Sequence, residues 1–385
     1  MKKFIYLVLI LSIFFYCAPK QRKVERYMED GVEVVVNQLK PYESERNFNY
    51  TLKKRFVIDL ENPDTAELGL TNIFSFDLDD EMNIYIFQFP KSEDDIVFKF
   101  DAQGRFIKSF GKIGQGPGEI QNLRNAGLTN DNMVTIYDYN QRSLFYFDKN
   151  GIFFRQTKLN IVMPPGGLIF LDNGNSIIHK LEVDENLVIG DIVVSIYDAQ
   201  FEKIKRLTTY NIFNEEINIL EEIPVIGASS RFIYIFHKKM GEDIFVYDLF
   251  GNPVRRIKKE HKKIPVSKEY KKEIMSVIPK GSSERERIKF NEYFPAYQNF
   301  FTDSQERLYA VTYEKDKSTG AHLCDVFNPQ GVFVGCMAAG YIDPIKSKSL
   351  GNDSAKIKVN NRYLYWVREK DNGYKVFESY SIQKK

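Results

Sequence analysis

One unit of apolar and polar positions recurs along this chain: an apolar, β-rich run, an aromatic-Asp pair, two turn residues closing on Gly, and a second apolar run. Phe100-Asp101-Ala102-Gln103-Gly104 leads into Arg105-Phe106-Ile107, and Phe147-Asp148-Lys149-Asn150-Gly151 into Ile152-Phe153-Phe154. Tyr197-Asp198-Ala199-Gln200-Phe201, Tyr247-Asp248-Leu249-Phe250-Gly251 and Phe327-Asn328-Pro329-Gln330-Gly331 continue the series. Asp or Asn opens such a turn by accepting backbone N–H groups, and Gly three positions on supplies the positive φ that closes it, so each unit is a hairpin. The first four acids are 47, 50 and 50 residues apart, and a gap of 80 before Asn328 leaves room for an insertion.

A second element precedes the hairpins, a polar turn followed by a strand: Asp80 to Ile86, Asp131 to Ile136, Asp172 to Ile177 and Asp303 to Tyr309. Together the two elements make about four strands per repeat, the period of propeller blades. The fold class expected is therefore all-β, a β-propeller of six four-stranded blades at about 72–120, 121–165, 166–215, 222–260, 295–345 and 355–382. The last blade, around Tyr363-Leu364-Tyr365-Trp366-Val367, is one strand short, and Leu52 to Leu60 can supply it and close the ring.

The long gap reads as a small helical insertion, about 266–294, between blades four and five. Ser267 can cap a helix carrying Tyr270, Ile274 and Ile278 at a spacing of four, Pro279 stops it, and Ser283-Glu284-Arg285-Glu286 has the form of a capping box.

The N-terminus changes the picture from fold to compartment. Lys2 and Lys3 precede an apolar run, Phe4 to Tyr16, that ends at Cys17. Thirteen residues make roughly 20 Å of helix, too short for a ~30 Å hydrocarbon core, so residues 1–16 read as a signal peptide. Phe14-Phe15-Tyr16-Cys17-Ala18 resembles a bacterial lipobox, which implies an acylated Cys17 as the mature N-terminus; the alternative is an unmodified signal cysteine. Residues 17–47 are then a lipidated tether and 48–385 the propeller.

Lys2 and Lys3 are the only charges in the signal segment, so the mature chain balances 52 acids with 52 bases. Without a net basic field there is no electrostatic footprint for nucleic acid. Phe (31) and Tyr (23) outnumber the single Trp, as suits a strand-rich chain.

Phe110-Gly111-Lys112-Ile113-Gly114-Gln115-Gly116-Pro117-Gly118-Glu119 is similar to the Phe-Gly-x-x-Gly-x-Gly-Pro-Gly-Glu run of exported six-bladed, NHL-repeat-like propellers found among bacterial envelope lipoproteins. That resemblance spans roughly 70–370 and implies the fold more strongly than any function, since such propellers bind, scaffold or occasionally catalyse.

No catalytic, cofactor or metal residue can be nominated. The glycines from 111 to 118 lack the Lys-Ser/Thr pair of a phosphate loop and read as an inter-blade loop. Asp77, Asp79, Glu81 and Asn83 alternate like calcium ligands, but Met82 and Gln88 stand where an EF-hand needs Gly and Glu. His179, His237, His261 and His322 show no paired spacing. Arg255, Arg256, Lys258, Lys259, Lys262 and Lys263 form a basic run, read as a solvated edge with contact to anionic headgroups or an acidic partner as the alternative. Cys324 and Cys336 flank a hairpin turn and could form a disulfide, or remain two thiols.

The expected function is a lipid-anchored module of the bacterial envelope, in the outer membrane, binding or scaffolding a protein, peptide or glycan through loops on the face that bears the helical insertion. The alternatives are a propeller hydrolase or lyase with its site at the central mouth, and a structural subunit of an envelope assembly.

Overall fold

The structure, a computed structural model, describes residues 24–42, 50–89, 95–164, 166–183, 189–213, 216–218, 220–317, 320–338, 357–360, 362–370 and 372–384. The signal segment and Cys17 lie outside the described residues.

Six sheets form the blades, each running outward from an inner strand through four antiparallel strands. The inner strands are Ser75–Leu78, Leu123–Leu128, Leu168–Phe170, Val225–Ala228, Asn299–Thr302 and Ile357–Val359. The middle strands are buried on both faces, as in Ile84–Phe87, Val97–Phe100 and Ser143–Phe147. They therefore read as unbroken apolar runs, and the aromatic excess fills the seams between blades, as where Phe76 meets Phe377 edge-on at 4.9 Å.

The hairpin units are the turns between third and fourth strands. Asp101 Oδ1 accepts from the N–H of Gln103 and of Arg105, both at 2.9 Å, and Asp148, Asp198, Asp248 and Asn328 repeat this pair of bonds. Gly151 closes its turn at φ 77°, whereas blade three places Phe201 there at φ 62°, an uncommon conformation for a bulky residue. The earlier polar elements are the turns between first and second strands; Asp79 and Asp303 bond the N–H four residues on in the same way.

Tyr50–Asp59 supplies the outer strand of blade six, pairing from Lys384↔Tyr50 to Val376↔Asp59, so both chain ends close the ring. The single Trp fixes this closure: Trp366 Nε1 donates to the buried Glu378 at 2.7 Å, and Lys54 and Tyr380 donate to the same carboxylate at 3.0 Å each. Burial alone would raise the Glu378 carboxyl, but these bonds hold it below its usual value.

Residues 25–37, expected as part of a tether over 17–47, are a correction. Glu25–Glu29 and Val32–Asn37 form a hairpin, and the second strand adds in parallel to Pro253–Lys259, making blade four six-stranded. Charge balance and one buried amide explain the docking. Glu33 bonds Arg255 at 2.7 Å and Glu29 bonds Arg256 at 2.9 Å. Asn37, 1% exposed, donates to Gly331 O at 3.0 Å and accepts from Phe333 N at 2.8 Å in blade five. The weak periodicity of 25–37 hid a strand pair because its alternation is split by the Asp30-Gly31 turn.

The insertion holds a helix, Lys268–Val277, with Ser267 accepting from Tyr270 N as expected, and a short helix, Ser283–Arg287. The capping box is another correction. Ser282 occupies the cap without a side-chain bond, because the short helix begins at Ser283 itself.

Candidate functional site

Since the strands of each blade alternate in direction, first-to-second and third-to-fourth turns share one face of the ring, and the blade crossovers share the other with the helical insertion. The six inner strands enclose a central channel of about 730 Å³ that runs to the first-to-second turns. Side chains stitch its wall from blade to blade. Ser75 Oγ donates to Ala126 O at 3.3 Å, Asn125 Nδ2 to Leu168 O at 3.3 Å, and Thr302 Oγ1 to Ala228 O at 2.7 Å.

The mouth on the turn face carries Asp77, Asp80, Asp172 and Glu306 against Lys358. Lys358 donates to Asp77 at 2.6 Å, and Asp77 also accepts from Leu128 N at 3.0 Å. One base is thus spent on one acid. Asp80 accepts from Asn132 Nδ2 at 2.9 Å, and Glu306 accepts from the hydroxyls of Ser229 and Ser230, all neutral donors. Desolvation, with the Glu306 and Asp80 charges added, pushes the Asp172 carboxyl above its usual value. The opening is a polar rim with negative charge in excess of its bases.

The residues nominated from sequence fall elsewhere or split apart. Asp77 faces the channel, but Asp79 is consumed by its own turn, accepting from Asn83 N at 2.8 Å and from Tyr85 OH at 3.2 Å, so the alternating acids do not converge. The glycine run is the crossover from blade one to blade two, where Glu119 Oε2 accepts from Gly116 N at 2.8 Å. Among the described residues no three His, Cys, Asp or Glu side chains gather as a metal set. His179 meets Tyr210 OH at 3.1 Å, and His261 meets Lys259 O at 3.2 Å. His322 bonds Thr312 O at 3.1 Å.

His237 has a structural position that recurs. Gln88, Asp138 and His237 lie at or one residue past the ends of the second strands of blades one, two and four, are at most 1% exposed, and bind the crossover entering their own blade. Gln88 Oε1 accepts from Thr71 N at 2.9 Å, Asp138 Oδ2 from Gln121 N at 2.5 Å, and His237 Nε2 lies 3.1 Å from Glu222 O.

The basic run lies along the seam between blade four and the N-terminal hairpin, with the Lys259 side chain buried and Lys262 and Lys263 exposed. Besides the pairs of Arg255 and Arg256 with the N-terminal hairpin, Lys258 donates to Tyr27 OH at 2.9 Å and Lys262 to Glu314 at 2.6 Å. Lys259 is buried against Asp325 at 3.1 Å, and Lys263 sits over the Tyr293 ring. The disulfide expectation is corrected by register: Cys336 stands opposite Asp325, and Cys324 opposite Met337. Successive strand residues point to opposite faces, so the thiols are turned away from each other, and both are free. The insertion also lies away from the mouth, bordering a second cavity of about 300 Å³ near His261, Glu242 and Tyr293.

Sequence reasoning found the mouth residues Asp80, Asp172 and Glu306 only as parts of the polar turns. The signal that could have located the site is their recurrence directly after each inner strand.

Fold and channel define a six-bladed, all-β propeller with a polar axial opening. The sequence matches the family model DUF5128, a 6-bladed beta-propeller, over residues 28–320, and the chain belongs to that family. No curated protein matches it. Among solved structures it is similar to a protein described as exported from Bacteroides fragilis, at 12% identity and a TM-score of 0.52, covering 91% of this chain and 99% of that one. It is also similar to a DUF4221 family member from Bacteroides vulgatus, at 13% identity and a TM-score of 0.51, covering 88% and 100%. At these identities the likeness is one of fold.

Proposed function

We propose that this protein is an exported binding module of a bacterial envelope, anchored through acylated Cys17. It takes a positively charged, hydrogen-bonding segment of a protein, peptide or glycan at the turn-face mouth of its channel. The signal segment and lipobox support export, and the exported description of the B. fragilis protein agrees with it. The observation that carries the binding reading is the mouth itself, where Asp80 and Glu306 have neutral donors, Asp172 lies beside their charges, and the nearby Lys358 is engaged by Asp77. Converging acids and amides at the opening of a cavity are what an ammonium group with neighbouring hydroxyl or amide groups requires. The reading is of a binder and not a catalyst, because the groups at the mouth act as turn and wall formers and are not paired as nucleophile and base.

The test is fluorescence anisotropy with a labelled lysine-rich peptide, its lysine-acetylated form and a neutral oligosaccharide. Asp172→Asn with Glu306→Gln should weaken the lysine-rich peptide at least tenfold and leave the fold intact by circular dichroism. Equal affinity for the acetylated peptide, or no effect of the double substitution, would overturn the assignment of the site.

A further inference from the structure

We infer that blade four is held nearest the membrane and that blade one, across the ring, points away from it; this rests on the anchoring at Cys17 proposed above. The chain enters the propeller at a rim and not at a face. Glu25–Glu29 is the outermost strand of the six-stranded blade four. The entry is sewn down by parallel pairing from Glu33↔Arg255 to Asn37↔Lys259, by the Glu29 and Glu33 ion pairs, and by the buried Asn37 amide. A pull on the N-terminus is therefore delivered to blade four.

Reach decides the orientation. Eight residue steps separate Cys17 from Glu25, and a fully extended chain gains at most about 3.4 Å per step, so the rim strand lies within about 27 Å of the acylated residue. Between that strand and the outer strand of blade one, Phe106–Phe110, lie eight strand spacings of about 4.8 Å, roughly 38 Å before the channel width is added. A ring standing with blade one toward the membrane would hold the blade-four rim at least about 38 Å away, farther than the tether reaches.

The rim itself suits a lipid surface without requiring anionic lipid. Tyr27 and Met28 of the outermost strand are 39% and 66% exposed there, side chains of the kind that settle at the headgroup boundary. The neighbouring bases Arg255, Arg256 and Lys258 are already matched by Glu33, Glu29 and Tyr27. With blade four down, the channel axis runs along the membrane and both ends of the ring stay open.

The experiment uses the full acylated chain carrying Cys336→Ser, with one labelling cysteine at Met28→Cys or Ile107→Cys, both exposed positions. Each is labelled with a donor dye and bound to phosphatidylcholine vesicles containing a trace of headgroup-acceptor lipid. Energy transfer should be several-fold stronger from position 28 than from position 107. Equal transfer, or stronger transfer from 107, overturns the orientation. Intact mass separates the two failures: an unacylated N-terminus overturns the anchoring and this inference with it, whereas an acylated, vesicle-bound protein with the labels reversed overturns the orientation alone.

Discussion

Gly151→Ala tests how the blades are locked together. Gly151 closes the third-to-fourth turn of blade two at φ 77°, and that turn docks on the outer strand of blade one. A Cβ there would sit 2.4 Å from Cγ and 2.6 Å from Cδ1 of Phe110, a buried ring that also packs on Phe147. Two costs add. An L-residue in the left-handed region costs about 1–2 kcal/mol, and overpacking against a ring that cannot withdraw costs about 1–3 kcal/mol, so the total is about 2–5 kcal/mol. Gly373 is the internal control: it closes the second-to-third turn of blade six with the same local geometry at φ 85°, but a Cβ there meets no atom within 4 Å. Gly373→Ala should cost only the backbone part, about 1–2 kcal/mol. Urea unfolding of both variants, followed by near-UV circular dichroism, measures the difference. Combining Gly151→Ala with Phe110→Leu should recover part of the overpacking cost, as a double-mutant cycle would show. If Gly373→Ala proves as costly as Gly151→Ala, close blade docking is not what makes this glycine necessary.

Acid should weaken the fold through His179. Burial lowers its pKa to about 4, so in the folded state the ring stays neutral while the unfolded chain takes up a proton near pH 6.5. Its contribution is complete above pH 6.5 and falls by up to about 3 kcal/mol as the pH drops to 4; His179→Gln should flatten that part of the stability profile, and an unchanged slope would refute the assignment. Thiol titration should find two reactive cysteines in the denatured, unreduced mature protein, Cys324 and Cys336, with Cys17 blocked by its lipid. In the native protein Cys336, although exposed, should react slowly with iodoacetamide at neutral pH, because local desolvation and the adjacent Asp325 push its thiol up to about 12. A disulfide-linked peptide joining 324 and 336 would contradict the register.

The repeat was legible in the sequence because its cause is local. An Asp that must accept N–H groups two and four residues on, and a Gly that must turn left-handed one step after the first of them, leave the same five-residue signature in every blade that uses them. The closing strand 50–59 was legible too, since one blade lacked a fourth strand and one β-rich run was unassigned. What the sequence could not show is which distant strands meet. The hairpin 25–37 is ordinary by composition; only its pairing with Pro253–Lys259 reveals that the acids Glu29 and Glu33 answer the basic run. Likewise a shift of one residue in register turns Cys324 and Cys336 from facing partners into residues on opposite faces. The channel mouth is decided the same way: Asp80, Asp172 and Glu306 are some 90 and 130 residues apart in sequence and share a site only because ring closure brings every inner strand to one axis. Turn chemistry acts over a few residues and is written in them, whereas the site is made by blade order and closure, which belong to the whole chain.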